Sequence, residues 1–351
     1  MQKGISIYAG LGYTIQENLD LIKFASSLGM KYLFTSAQIP EAADSETFWD
    51  ELLIILTTAA DRERFDFEII LDVSSEDSPI FDLEVVTPRL DDGFDTTRIA
   101  ELSQTRKIQL NASTVTEYFL TELKNLGANF ENMKALHNFY PRPYSGLDSY
   151  YFIEQNKILH DFGIAVGAFI PSRDGRRRPP LAEGLPTLED CRNFSADLSA
   201  RYLAALGTDF IIIGDGLPTY AECESISKIS GDEVVITAQM LTDDEISKEL
   251  LSKTFTRRPD VAKSVIRAVE GRQFLKSLGA QIIPDVSPKN RNFGDVTIDN
   301  ETFGRYAGEV QIIDDELPAD SRVNVAAHII EEEFFLTRYI KPRQKFSFNL
   351  I

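Results

Sequence analysis

A helix that ends in glycine and runs almost at once into an apolar strand recurs along the first part of the chain. Ser27-Leu28-Gly29 leads into Lys31-Tyr32-Leu33-Phe34-Thr35, and Asn125-Leu126-Gly127 leads shortly into Met133-Lys134-Ala135-Leu136-His137. Asp161-Phe162-Gly163 leads into Ile164-Ala165-Val166, and Ala205-Leu206-Gly207 into Phe210-Ile211-Ile212-Ile213. Glycine just past a helix takes the left-handed conformation that ends it. Apolar runs without polar alternation read as strands buried on both faces, as in a parallel sheet.

Eight such runs are strand candidates: Gly4–Tyr8, Lys31–Thr35, Phe67–Val73, Thr87–Leu90, Lys107–Asn111, Met133–Asn138, Ile164–Ile170 and Phe210–Gly214. Helical patterns alternate with most of them. Ile15, Leu19, Ile22, Ala25 and Leu28 mark one apolar helix face. Thr114-Val115-Thr116-Glu117 reads as a capping box opening another helix. This alternation over roughly 250 residues predicts a (β/α)8 barrel, with a doubly wound sheet as the competing topology.

From about residue 235 the pattern changes. The charged segment Thr242 to Gly271 is expected to be helical. Short alternating runs follow at Gln281–Ile283, Asp295–Ile298, Gly308–Ile313, Val323–Val325 and Lys345–Phe348. They predict a small all-β domain. The division is placed at residue 240, with residues 1–240 as barrel and 241–351 as helical connection and β domain.

The 351 residues carry a net charge of -19, which argues against nucleic-acid partners. Any anionic ligand must then be met by local arginine or lysine. Two cysteines, Cys191 and Cys223, lie in expected helices and suggest neither a disulfide framework nor a metal site. The first residues run into a strand without a signal-like stretch, and no apolar run is long enough to span a membrane. A reducing cytoplasm is the expected location, and homo-oligomerisation stays open. The sequon Asn111-Ala112-Ser113 is expected to be unused, and His160 and His328 to be structural.

In a barrel the working residues stand where strands end. Those ends bring Tyr8, Glu41, Asp72, Asp91, Asn111, His137, Asn138 and Asp215 towards one mouth. The stretch His137-Asn138-Phe139-Tyr140-Pro141-Arg142-Pro143-Tyr144-Ser145-Gly146 packs polar and aromatic groups between prolines that fix the backbone. After strand seven comes Ser172-Arg173-Asp174-Gly175-Arg176-Arg177-Arg178-Pro179-Pro180. Arginine grips phosphate and carboxylate through a planar fork, and barrels often bind phosphate on the loops after strands seven and eight.

Several of these segments carry a family resemblance. They are Gly4-Ile5-Ser6-Ile7-Tyr8, Phe34-Thr35-Ser36, Ile39-Pro40-Glu41, Leu110-Asn111-Ala112-Ser113, the long His137 stretch through Leu147, Glu183-Gly184-Leu185-Pro186-Thr187-Leu188-Glu189, Ile213-Gly214-Asp215 and Asn290-Arg291-Asn292-Phe293-Gly294-Asp295. Together they resemble the MupG-type 6-phospho-N-acetylmuramidases across nearly the whole chain. The resemblance implies a barrel followed by a cyclophilin-like β domain. It also implies intracellular hydrolysis of a phosphorylated muramyl disaccharide during peptidoglycan recycling. The chain departs from the family at Ala37-Gln38, where Leu-His is expected in much of it.

Glycoside hydrolysis needs two carboxyl groups flanking the bond. Glu41 comes from a matched motif, while Asp72, Asp91 and Asp215 come from barrel topology. Glu41 is expected as general acid and Asp91 as nucleophile or base. Asp72 is the expected modulator, its charge acting on a neighbouring carboxyl, and Asp215 is the reserve. Tyr8, Asn111, His137, Asn138 and Tyr140 are expected to hold the sugar. Arg142, Arg176, Arg177, Arg178 and, in the β domain, Arg291 are expected to meet the phosphate and lactyl carboxylate. The Asn290–Asp295 loop is expected to reach over the barrel mouth. No metal or organic cofactor is required. The competing readings are a sugar-phosphate aldolase or isomerase and a non-catalytic phosphosugar-binding protein. The first would want a lysine or a metal cluster at strand ends.

Overall fold

All eight apolar runs become strands of one closed parallel barrel in a computed structural model of the chain. Residues 1–42, 46–78, 80–91 and 93–351 are described. The strands are β1 (Gln2–Ser6), β2 (Tyr32–Ser36), β3 (Glu68–Val73), β4 (Val86–Leu90), β5 (Ile108–Asn111), β6 (Met133–Leu136), β7 (Ala165–Ile170) and β8 (Phe210–Ile213). Helices α1 (Ile15–Ser27) and α2 (Phe48–Ala59) follow β1 and β2. Helices α3 (Thr96–Thr105), α4 (Glu117–Asn125), α5 (Ser149–Asp161), α6 (Ala196–Ala205) and α7 (Tyr220–Ser227) follow β4 to β8 in turn. Among the described residues no helix follows β3; residues 74–78 and 80–85 lead to β4 through turns and bends.

The glycine signals hold. Gly29, Gly127, Gly163 and Gly207 have φ of 73°, 77°, 76° and 85°. One cap differs from expectation. Thr116, not Thr114, caps α4, accepting from Phe119 N at 3.2 Å. Thr114 lies in the preceding turn, its N–H bonded to Asn111 O. The capping boxes that form are Thr14 with Glu17 and Thr219 with Glu222.

Alternate residues of each strand face the barrel axis. Near the N-terminal end the inward set includes Tyr32 and Phe210, stacked at 4.4 Å between ring centroids. Gly4 leaves room for them, since a Cβ there would lie 2.5 Å from the Tyr32 Cβ. Lys134 Nζ closes this layer with bonds to Tyr32 Oη (2.9 Å) and Glu68 Oε2 (2.7 Å). A cavity of about 1090 Å³ opens at this end, lined by self-paired charges such as Lys31 with Asp66 and Lys134 with Glu68. This is the end where barrel residues serve stability. Further along the axis, Phe34 and Phe169 meet edge to face at 5.0 Å and are fully buried. Each contributes roughly 1.5–3 kcal/mol by leaving water.

The chain divides into two units, Met1–Gly231 and Asp232–Ile351. Strand β9 (Glu233–Met240), on the barrel side of a division at residue 240, therefore belongs to the second unit. There a seven-stranded sheet has the order β10-β15-β9-β14-β12-β13-β11. Its other strands are β10 (Phe255–Thr256), β11 (Val265–Arg267), β12 (Asp295–Asp299), β13 (Val310–Ile313), β14 (Val323–Ile329) and β15 (Lys345–Leu350). β15 runs parallel to β9, and the remaining pairs are antiparallel.

Two expectations are corrected here. The segment Thr242–Gly271 is not one helix. It holds α8 (Glu245–Leu251) and then β10 and β11, whose Phe255 and Ile266 are buried. Helix α9 (Gly271–Leu278) only begins at its end. Gln281–Ile283 makes no ladder. It is tied by isolated bonds from Glu301 N to Ile282 O and from Asn324 Nδ2 to Ile283 O. No described helix is long and apolar enough to cross a membrane.

Candidate active site

Arg89, a residue inside β4 that strand-end reasoning passes over, sits among the carboxylates. Its side chain is 4% exposed, and Nη1 lies 2.9 Å from Asp72 Oδ1 and 3.6 Å from Asp91 Oδ2. Nη2 donates to Asn138 Oδ1 at 2.5 Å, and Nε and Nη2 both donate to Leu136 O. Register explains the meeting. Asp72 and Arg89 are paired neighbours across β3 and β4, so they share the inward face. Asp91 and Asn138 continue the inward phase past their strand ends.

Asp72 also accepts from Gln38 Nε2 (2.9 Å) and Ser36 Oγ (3.3 Å). Gln38, where the resemblance was expected to break, thus supports this carboxylate. Asp91 is the more open group. It accepts from Asn111 Nδ2 at 2.9 Å, and its side chain is 32% exposed. The guanidinium between Asp72 and Asp91 offsets the like-charge repulsion through which Asp72 was expected to act.

Glu41 stands on a single 3-10 turn, Pro40–Ala42, beyond β2. Its Oε2 lies 3.2 Å from Arg178 Nη2. Arg178 rests on aromatic faces, with its guanidinium carbon 5.2 Å from the Tyr8 ring centroid and 5.7 Å from that of Phe139. Phe139 packs on Phe34 and Phe169, so the floor of the mouth is aromatic. Arg178 Nε is buried and has no hydrogen-bond partner among the described residues. Tyr8 is 1% exposed and donates its hydroxyl to Gly214 O at 2.8 Å; burial raises its pKa. Its ring therefore backs Arg178, and its hydroxyl is spent on backbone.

The other loop arginines are committed elsewhere. Arg176 pairs with Glu17 on α1 (2.9 Å) and donates to Gly12 O. Arg177 Nε braces its own loop through Ser172 O at 2.8 Å. Asp215 organises this loop from beneath. It is fully buried and accepts from the backbone N–H groups of Ser172 (2.9 Å), Arg178 (2.9 Å) and Leu185 (3.3 Å). Burial raises its pKa, and those three amides act against the rise. Both of its oxygens are spent on backbone.

His137 also faces away from the mouth. It is 0% exposed, packs on Phe152 of α5 at 4.6 Å, and places Nε2 2.9 Å from Asn156 Oδ1. With the Nε2 proton directed at that amide oxygen, Nδ1 accepts from Ser113 Oγ at 3.1 Å. Ser113 Oγ in turn accepts from Asn138 N at 2.9 Å. Burial lowers the His137 pKa to about 4, with the Asn156 bond opposing and Arg89 adding to the fall. The ring is a neutral brace that positions Asn138 and, through it, Arg89.

Tyr140 is half-buried, with its backbone held by Pro186 O and Arg192 Nη2. The Arg142 side chain is exposed, and its guanidinium makes no bond among the described residues. Arg291 lies in the second unit, where Nε and Nη2 donate to Pro318 O. Phe293 of the same loop meets Phe334 edge to face at 5.1 Å. His160 pairs with Asp209 and His328 with Asp295. Cys191 and Cys223 are free and buried. Among the described residues no three His, Cys, Asp or Glu side chains are grouped to hold a metal ion.

Two solved structures share this architecture over almost their full length. An uncharacterized B. cereus protein is 29% identical, with a TM-score of 0.86 and 99% of each chain covered. A conserved Enterococcus faecalis protein of unknown function is 30% identical, with a TM-score of 0.69, covering 100% of this chain and 96% of that one. No curated protein sequence matches the chain. Residues 3–228 match the family described as 6-phospho-N-acetylmuramidase, N-terminal, and residues 234–349 match its C-terminal counterpart. With both of its units matched, the chain belongs to the 6-phospho-N-acetylmuramidase family, a family of glycosidases.

Proposed function

We propose that this barrel mouth hydrolyses the bond between 6-phospho-N-acetylmuramic acid and N-acetylglucosamine, a step of peptidoglycan recycling. The observation that carries the reading is the pairing of Glu41 with Arg178, whose buried Nε has no partner among the described residues, on an aromatic floor. A buried donor without a partner favours an arriving anion, and guanidinium fits phosphate or carboxylate. The half-buried Phe139 ring suits the apolar face of a sugar.

Two carboxylates remain available for chemistry. Glu41 is the general acid in this reading, and Asp91 is the nucleophile or base because it is the less encumbered of the aspartates. Asp72 holds Arg89, and Arg89 aims Asp91 and Asn138. Asn111 orients Asp91 through its amide. Arg178 supplies the principal anion contact, and the free Arg142 guanidinium is suited to a second. Asp215 and His137 position loops and touch no substrate.

A Schiff-base aldolase finds no support. Barrel lysines such as Lys31, Lys107 and Lys134 lie before or near strand starts, and no lysine occurs in a loop that leaves the C-terminal end of a barrel strand. The test is incubation with the phosphorylated disaccharide and with its unphosphorylated form, reading released N-acetylglucosamine. The reading expects release from the first and far less from the second. Equal release from both would remove the phosphate from recognition, and no release would remove the reading.

A further inference from the structure

The loop after β6 contains a displayed aromatic ring that the site described above does not use. Tyr144 is 95% exposed, although its backbone has φ of 65°. That left-handed region costs a side-chain-bearing residue about 1 kcal/mol. An ion pair holds it there. Glu189 accepts from Tyr144 N (2.8 Å) and Gly146 N (2.7 Å), and Arg192 clamps Glu189 through Nε (2.6 Å) and Nη2 (2.7 Å). Arg192 is 5% exposed and also binds the carbonyls of Tyr140 and Arg142. The Arg192 bond, then the two backbone amides, pull the Glu189 pKa down to about 2. Gly146 permits the close approach, since a Cβ there would lie 2.6 Å from Glu189 N.

Buried Arg192 fixing a strained loop whose Tyr144 side chain is left exposed argues for an external partner. The same loop, which leaves β6 at the mouth end of the barrel, contributes Phe139 beneath Arg178, and Tyr144 is tied through its N–H to Glu189 of the segment after β7. We infer that Tyr144 is a stacking platform for the uncharged N-acetylhexosamine ring on the leaving side of the scissile bond. The phosphorylated ring is drawn inward by Arg178, and the uncharged ring lies outward, where the C–H face of a pyranose meets the face of a phenol. This inference rests on the glycosidase reading above.

The experiment compares Tyr144→Gly, Tyr144→Phe and the unaltered protein. Glycine adopts the positive φ without strain, so it removes the ring and keeps the loop. Two quantities are measured: KM for the phosphorylated disaccharide, and the inhibition constant of the phosphorylated monosaccharide product. Tyr144→Gly is expected to raise KM about fivefold to tenfold. It should leave the inhibition constant unchanged, and Tyr144→Phe should behave as the parent. An unchanged KM overturns the platform. Equal rises in both quantities also overturn it, because the loop would then be acting as scaffold. Absence of disaccharide cleavage by the unaltered protein overturns the glycosidase reading together with the platform, whereas cleavage with a KM indifferent to Tyr144 overturns the platform alone.

Discussion

Arg178 Nη2 lies 3.2 Å from Glu41 Oε2, joining the loop after β7 to the loop after β2. Arg176, two residues earlier, turns to Glu17 on α1 instead. The three loop arginines are therefore not equivalent. Arg178→Ala is expected to raise KM for the phosphorylated disaccharide by about 30-fold, the value of about 2 kcal/mol for a charge-assisted contact. Arg176→Ala should change it less than about twofold, since that guanidinium is engaged by Glu17 and Gly12 O. Equal effects in steady-state kinetics would contradict this division.

Arg89 is the buried cation that Asp72 requires. Removing one partner of a buried pair leaves an uncompensated charge and costs about 3–5 kcal/mol. Arg89→Met is expected to lose stability on that scale in urea unfolding. Adding Asp72→Asn should recover part of the loss, because the orphaned charge is then gone. A double variant as unstable as the sum of the two singles would show that the residues do not interact.

His137 makes a pH prediction with a definite sign. Its folded pKa is about 4, below the ordinary 6.5. The unfolded chain therefore takes up a proton that the folded state refuses, and stability falls as pH drops from 6.5 to 4. The full loss is about 3 kcal/mol. His137→Gln cannot take up that proton and should flatten this part of the stability curve, measured by urea midpoint against pH. An unchanged slope would place the acid sensitivity elsewhere.

Asp215→Asn replaces one acceptor oxygen by a donor beneath three backbone amides. The expected result is a loss of about 1–3 kcal/mol in stability. Turnover should fall less than about tenfold, well short of the loss for a missing general acid. Thermal unfolding and kcat on the same variant separate the two effects.

Much of this fold is written locally. Strands such as β2, β7 and β8 are largely apolar runs, and four helix stops are glycines with positive φ. Carboxylates near strand ends were legible for the same reason, because position along a parallel strand fixes which end a residue reaches. Direction around the strand was harder. Side chains alternate, so Asn138 and Gly214 share the inward phase while His137 and Asp215 fall one residue out of it. That parity sends His137 to α5 and Asp215 under the loop after β7. The same parity places Arg89 inward beside Asp72, a signal hidden when only strand ends are read. Which arginine reaches Glu41 depends on loop geometry set by Asp215, and adjacent residue names do not encode that. The strands β10 and β11 escaped notice because two- and three-residue strands carry no period of their own.

The central claim is that Glu41 and Asp91 carry the chemistry and Asp215 does not. Its most direct test is kcat on the phosphorylated disaccharide for Glu41→Gln, Asp91→Asn and Asp215→Asn, each made separately. The account predicts losses of about 10²–10⁴-fold for Glu41→Gln and at least as large for Asp91→Asn. Near-normal turnover in both of those variants, with activity abolished in a folded Asp215→Asn protein, would contradict it and move the chemistry to β8.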